Sequence, residues 1–245
     1  MNKVSKLIVV VAVFYMTGCA VNSGVRMHPQ LQQELVSVNT VVIAPPEVSI
    51  IEQDLEGENL NLVELENSVL AELIQIAKES LTEKGFKLVD FDFSGEISSN
   101  EDFAYNLNLV KEGYSEASKI LYVDDDKSES DNNKPYTANV GSVINIVSQK
   151  TGADTLLLIN YSGVKKSGGS VAKDIVVGTL FALLTGYVPV AATEASYVEV
   201  ALIDGATGDV LWANYGRGQS ISSVIMSNVI QPLPDKKSKQ VAITK

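Results

Sequence analysis

Apolar positions along the chain fall into a few clear periodic groups. Leu62, Leu65, Val69, Leu73, Ile76 and Leu81 recur mostly every three or four residues, which lines one face of a helix. Gly85 follows where a helix C-terminus favours glycine. Phe103, Leu107, Val110, Tyr114, Ala117 and Leu121 form a second stripe, and Asn100 with Glu101 and Asp102 supplies its start signal. Val140, Val143, Ile144 and Val147 form a third, closed by Thr151-Gly152.

Between and after these stripes the pattern changes to strands. "VNTVVIAPPEV" (38–48) predicts a strand that stops at Ala44, because Pro45 and Pro46 cannot extend a central ladder. "EQDLEGENLN" (52–61) reads as a polar loop, "FKLVDF" (86–91) as a strand and "DTLLLINYSG" (154–163) as a buried strand. "ASYVEVALIDGATGDVLWANYGRG" (195–218) predicts two strands around a turn at Gly205 to Gly208. Strict alternation would put Val210, Trp212 and Asn214 on one face, and Leu211, Ala213 and Tyr215 on the other. "SSVIMSNVI" (222–230) suits a short last helix. The expected fold class is α/β: a mixed sheet with helices packed on it and a C-terminal β-hairpin.

Two apolar segments stand apart. Leu7 to Tyr15 is an uninterrupted run of nine apolar residues, preceded by Lys3 and Lys6. It is too short to span a hydrocarbon core, which needs roughly 20 residues. A charged start, a short apolar run and small residues at a cut site describe a secretory signal peptide. Residues 175–192, "IVVGTLFALLTGYVPVAA", carry no charge between Asp174 and Glu194. Gly178, Gly186 and Pro189 shorten any helix there. The segment is expected to be covered, as a helix or hairpin on the sheet or as a subunit contact, rather than to cross the membrane. The bracketing charges are acidic, whereas membrane-flanking residues are more often basic.

The cut site reads Met16-Thr17-Gly18-Cys19, and Cys19 is the only cysteine in 245 residues. This stretch resembles a bacterial lipobox, with Met16 in place of the usual Leu. The resemblance implies that Cys19 takes a diacylglyceryl group and that its new amine is acylated, with a palmitate-type chain. Two or more chains anchor a protein stably where one does not. Ala20, not Asp, follows the cysteine, which in such lipoproteins implies the outer membrane. The chain then divides into a signal peptide (1–18), a lipidated tether (19–38), one α/β domain (39–232) and a mobile tail (233–245).

Loss of residues 1–18 removes Lys3 and Lys6, so the net charge moves from −11 to −13. That acidity argues against nucleic acid, which needs clustered Lys and Arg.

"GADTLLLI" followed by "VEVALIDGATGDVLW" resembles the bacterial envelope lipoproteins with a TolB N-terminal-like or curli-secretion (CsgG-like) α/β domain. The matching residues are Gly152, Ala153 and Asp154, then Asp204, Thr207, Gly208 and Trp212. The resemblance implies that fold and an envelope location, and it carries over no catalytic residue.

Enzymatic constellations are weak. The single histidine, His28, falls in the expected tether, and the only cysteine is the acylation site. No Ser-His-Asp or Cys-His arrangement can be assembled from them, and a zinc site lacks ligands. Ser167 and Ser170 beside Lys165 and Lys166 read as a solvated link. Asp124, Asp125, Asp126, Glu129 and Asp131 offer oxygen ligands without EF-hand spacing, so 124–134 reads as a solvated acidic loop.

The expected protein is therefore a periplasm-facing lipoprotein on the outer membrane, with no enzymatic activity, cofactor or metal. Its expected partners are the membrane, through Cys19, other envelope proteins and further copies of itself. The alternative is an oligomeric secretion or pore component that inserts 175–192 into the membrane.

Overall fold

The computed structural model describes residues 24–53, 59–122, 136–166 and 193–236. Cys19, the acidic stretch 124–134 and the apolar stretch 175–192 lie outside the described residues.

Among the described residues there are eight strands, all in one mixed sheet, and six helices. In chain order they are β1 (Arg26–Met27), α1 (Leu31–Ser37), β2 (Thr40–Ile43), β3 (Glu47–Gln53), β4 (Asn59–Asn61), α2 (Val63–Glu83) and β5 (Lys87–Leu88). There follow α3 (Phe93–Ser99), α4 (Glu101–Tyr122), α5 (Ile144–Thr151), β6 (Thr155–Lys166), β7 (Glu194–Asp204), β8 (Val210–Gly218) and α6 (Val224–Ile230). The strand order is β1-β8-β7-β6-β2-β5, with β3 also on β6 and β4 on β3. β2 and β3 run parallel to β6, β7 runs antiparallel beside β6, and β8 runs antiparallel beside β7.

Alternation along the central strands sorts the core into two halves. Leu157, Ile159, Tyr161, Val198, Val200 and Leu202 face α1, α2 and α6. Leu156, Leu158, Ala201 and Ile203 face α3, α4 and α5. A sheet covered on both faces needs apolar residues on both, which is why "TLLLI" reads as a continuous run. The α4 stripe from Phe103 to Leu121 is buried at all six expected positions. In α2 the buried residues are Val69, Leu73, Ala77 and Leu81. Gly152 closes α5 in the left-handed conformation, at φ 71°, which glycine adopts without a steric cost.

The structure corrects several expectations. The 19–38 tether does not extend to residue 38: β1 pairs with Ala213 and Trp212, and Leu31, Leu35 and Val38 are buried in the core. A seven-residue helix carries too little periodicity to stand out in the sequence. At the other end Leu233 is buried, and the Lys236 N–H donates to the Lys84 carbonyl at 2.8 Å, so the expected tail packs on the domain through residue 236. The prolines interrupt a strand rather than end it. Val41 pairs with Thr155 and Glu47 with Asn160, so six steps on one side answer five on the other. The extra residue takes Pro45 and Pro46 out of the ladder, and pairing resumes as β3. The polar stretch 52–61 accordingly contains the end of β3 and an antiparallel β4.

The alternation expected in β8 also breaks once. Leu202 pairs with Trp212 and Ile203 with Val210, leaving Leu211 as a bulge. Two bulged residues then oppose one on the partner strand. Leu211 joins Trp212 in the α2-side core, and Val210 joins Ala213 in the α4-side core.

Candidate functional site

The motif segments at Gly152–Asp154 and Asp204–Gly208 meet as two adjoining turns, whereas Trp212 lies apart in the α2-side core. The Gly205 N–H donates to the Asp154 carbonyl at 2.8 Å. The Asp154 carboxylate accepts the N–H groups of Asn39 at 2.8 Å and Thr40 at 2.9 Å, at the start of β2. Its own N–H donates to the Thr40 hydroxyl. Burial pushes the Asp154 carboxyl up, but these hydrogen bonds, with the Lys236 charge, outweigh it and hold the carboxyl below its ordinary value. Asp204 accepts from the N–H of Ala206 and Thr207 and shapes the hairpin turn. Asn139 clamps that turn from outside, donating to the Thr207 carbonyl and the Asp209 carboxylate. All of these contacts except Asn139–Asp209 involve a backbone group.

His28 is not in a solvated tether. Its N–H donates to the Leu211 carbonyl at 2.9 Å and its side chain is largely buried. Nδ1 accepts the Gln30 N–H at 3.3 Å, and the Glu34 carboxylate lies 3.8 Å from the same nitrogen. Burial raises the Glu34 carboxyl; His28 opposes this, and Asp204 and Asp209 add to it. Lys165 is paired across the sheet with Glu194, and Lys166 is buried. Ser167 and Ser170 lie outside the described residues. Among the described residues no group of three or more His, Cys, Asp or Glu is placed to hold a metal ion, and no helix is long and apolar enough to cross a membrane.

The densest polar constellation lies elsewhere, between α4 and the sheet. Glu199 projects from the middle of β7 toward α4 and is only 7% exposed. The Tyr114 hydroxyl donates to its Oε1 at 2.6 Å, and the Tyr197 hydroxyl lies 3.4 Å from Oε2. Tyr197 stacks on Tyr215 with centroids 5.7 Å apart, and Tyr215 meets Tyr122 edge-on at 4.9 Å. The Arg26 guanidinium sits over Tyr122 and Tyr136, 5.2 and 4.6 Å from their ring centroids. Its Nε donates to the Leu121 carbonyl at 2.8 Å. Arg217 covers Tyr215 at 5.1 Å. The buried Tyr122 hydroxyl has no hydrogen-bond partner among the described residues.

Burial raises the Glu199 carboxyl to about 7, against the lowering effect of the two phenol hydrogen bonds. Burial, and then the nearby Glu199 charge, push the phenols of Tyr114, Tyr122 and Tyr197 well above their ordinary value. These phenols stay protonated, and those of Tyr114 and Tyr197 donate to Glu199. This cluster was not singled out from the sequence. Its one signal is an acid inside the apolar run "YVEVALI", on a strand whose two faces are both covered.

No protein-family model matches the chain, and no curated protein matches it by sequence. Solved structures similar to it include the PelC dodecamer from Paraburkholderia phytofirmans, at 13% identity over 90% of this chain and 99% of that one, with a TM-score of 0.34. Lipoprotein GNA1162 from Neisseria meningitidis shows 12% identity over 73% of this chain and 78% of that one, with a TM-score of 0.30. The LpoB C-terminal domain from Salmonella enterica shows 12% identity over 80% and 96%, also at 0.30. Similarity at this level assigns neither a family nor an activity, and the TolB-like or curli-secretion resemblance rests on its own seven residues.

Proposed function

We propose that the protein is a lipid-anchored component of a bacterial envelope, held on the periplasmic face of the outer membrane by Cys19, and that its α/β domain works by binding other envelope proteins rather than by catalysis. The observation that carries this reading is the order Lys3, Lys6, nine apolar residues, then Thr17-Gly18-Cys19, with no second cysteine in the chain. Ala20 after the cysteine supports the outer membrane. The hydrogen bonds of the two motif segments order the backbone of the fold, which supports a scaffold role for them.

Replacement Cys19→Ser is the test. The variant should accumulate as an uncleaved or soluble precursor, while the wild type floats with outer-membrane vesicles. A variant that is still processed and still floats with them would overturn the reading.

A second reading is an oligomeric secretion or pore component. The stretch 175–192 favours it: eighteen uncharged residues between β6 and β7, whose facing ends pair at Lys165 and Glu194. Native mass of the intact protein separates the two, since a monomer counts against a pore.

A further inference from the structure

A carboxylic acid on a central strand is costly to bury as an anion unless cations or several donors compensate it. The hydrogen bonds drawn to Glu199 come from two neutral phenols, Tyr114 on α4 and Tyr197 on its own strand. Among the described residues, charged and titratable groups lie around it on several elements. On α4 they are Tyr114 and Tyr122, and on β8 they are Tyr215 and Arg217. Arg26 comes from β1, with Tyr136 on its far side. The strand neighbour on β6 is the neutral Asn160. One turn before Tyr114 on α4, Lys111 pairs with Glu47 at 3.0 Å. Both arginines of the cluster lie over tyrosine rings, and Arg26 Nε is bonded to the Leu121 carbonyl.

We propose that Glu199 is a proton-controlled latch between α4 and the sheet. Uncharged, it accepts from Tyr114 and can donate to Tyr197, and it seats the C-terminal half of α4. Charged, it is an anion inside an aromatic box, and the seat loosens so that water can reach the carboxylate. Glu199 binds its proton more tightly in the folded protein than in the unfolded chain, since burial raises its carboxyl from an ordinary 4.5 to about 7. The stabilisation is therefore complete below the ordinary value and is lost as pH rises through about 7. The window runs from about 4.5 to about 7 and extends above the range in which an ordinary carboxylate responds.

The test follows the side-chain carboxyl carbon of Glu199 by NMR from pH 4 to 9 in the full chain, beside denaturant unfolding of the wild type and Glu199→Gln. The carboxyl should titrate far above the ordinary carboxylate range. The wild-type folding constant should fall on the order of a hundredfold across the window, with amide protection lost first around Tyr114 and Tyr122. Glu199→Gln, which cannot ionise, should lack that fall. An ordinary titration midpoint, or parallel pH profiles for wild type and variant, would overturn the latch. If the variant does not fold, the wild-type titration decides alone.

Discussion

Gly205 meets Asp154 where the β7–β8 hairpin closes over the α5–β6 turn, its N–H on the Asp154 carbonyl at 2.8 Å. The approach leaves no room for a side chain. A Cβ at position 205 would lie 2.7 Å from Ser148 Cβ and 2.8 Å from that same carbonyl. Gly205→Ala should therefore destabilise the fold by roughly 1–3 kcal/mol, the usual cost of overpacking. Chemical denaturation measures it; an unchanged midpoint would mean that the two turns separate freely.

Asp154 supports a different prediction, on the acid side. Its carboxyl is held below the ordinary value, so its stabilisation is present above that value and disappears as pH falls through the folded one. Asp154→Asn should cost about 1 kcal/mol at neutral pH, comparable to the loss of a helix cap. The gap between wild type and variant should close in acid. A gap that stays constant down to pH 2 would show that the charge on Asp154 plays no part.

Trp212, the only tryptophan, is fully buried on the α2 side of the sheet. Its indole Nε1 has no hydrogen-bond partner among the described residues. Emission should be blue-shifted and poorly quenched by iodide. Trp212→Ala should lose roughly 3–5 kcal/mol, whereas Trp212→Phe, which removes the orphan N–H with little volume, should lose much less. Equal losses for the two variants would contradict this account.

Asn100 caps α4, its Oδ1 accepting the Phe103 N–H at 3.1 Å. Asn100→Ala should cost about 1 kcal/mol and Asn100→Asp little. Thermal unfolding of the three proteins in parallel would check the order.

How much of this was legible depends on the range of the interaction. The α4 stripe and the Asn100 cap are local, within one helix, and the sequence pattern states them directly. The hairpin is also local, written in the turn residues from Asp204 to Asp209. The bulge at Leu211 is not: nothing in "DVLWANY" marks the residue that slips, because all its neighbours are apolar. β1 is two residues long and exists only through its pairing with Ala213 and Trp212, far along the chain. The Glu199 cluster draws on β1, α4, β7 and β8, and tyrosines are common enough that no spacing announces the set. An acid flanked by valines on a doubly covered strand was the one visible sign.

The pairing of Arg26 and Met27 with β8 has a consequence for distance. If acyl chains hold Cys19 in the bilayer, only six residues separate it from the first residue of the sheet. Fully stretched, that length of chain reaches about 25 Å. The domain would ride close above the lipid headgroups, with the β1 edge turned toward them, and could sweep only a small patch around its anchor. It could not search across the periplasm. Any partner fixed in the opposite membrane would have to span the gap itself, and copies of this chain would meet side by side, already aligned by the surface that holds them.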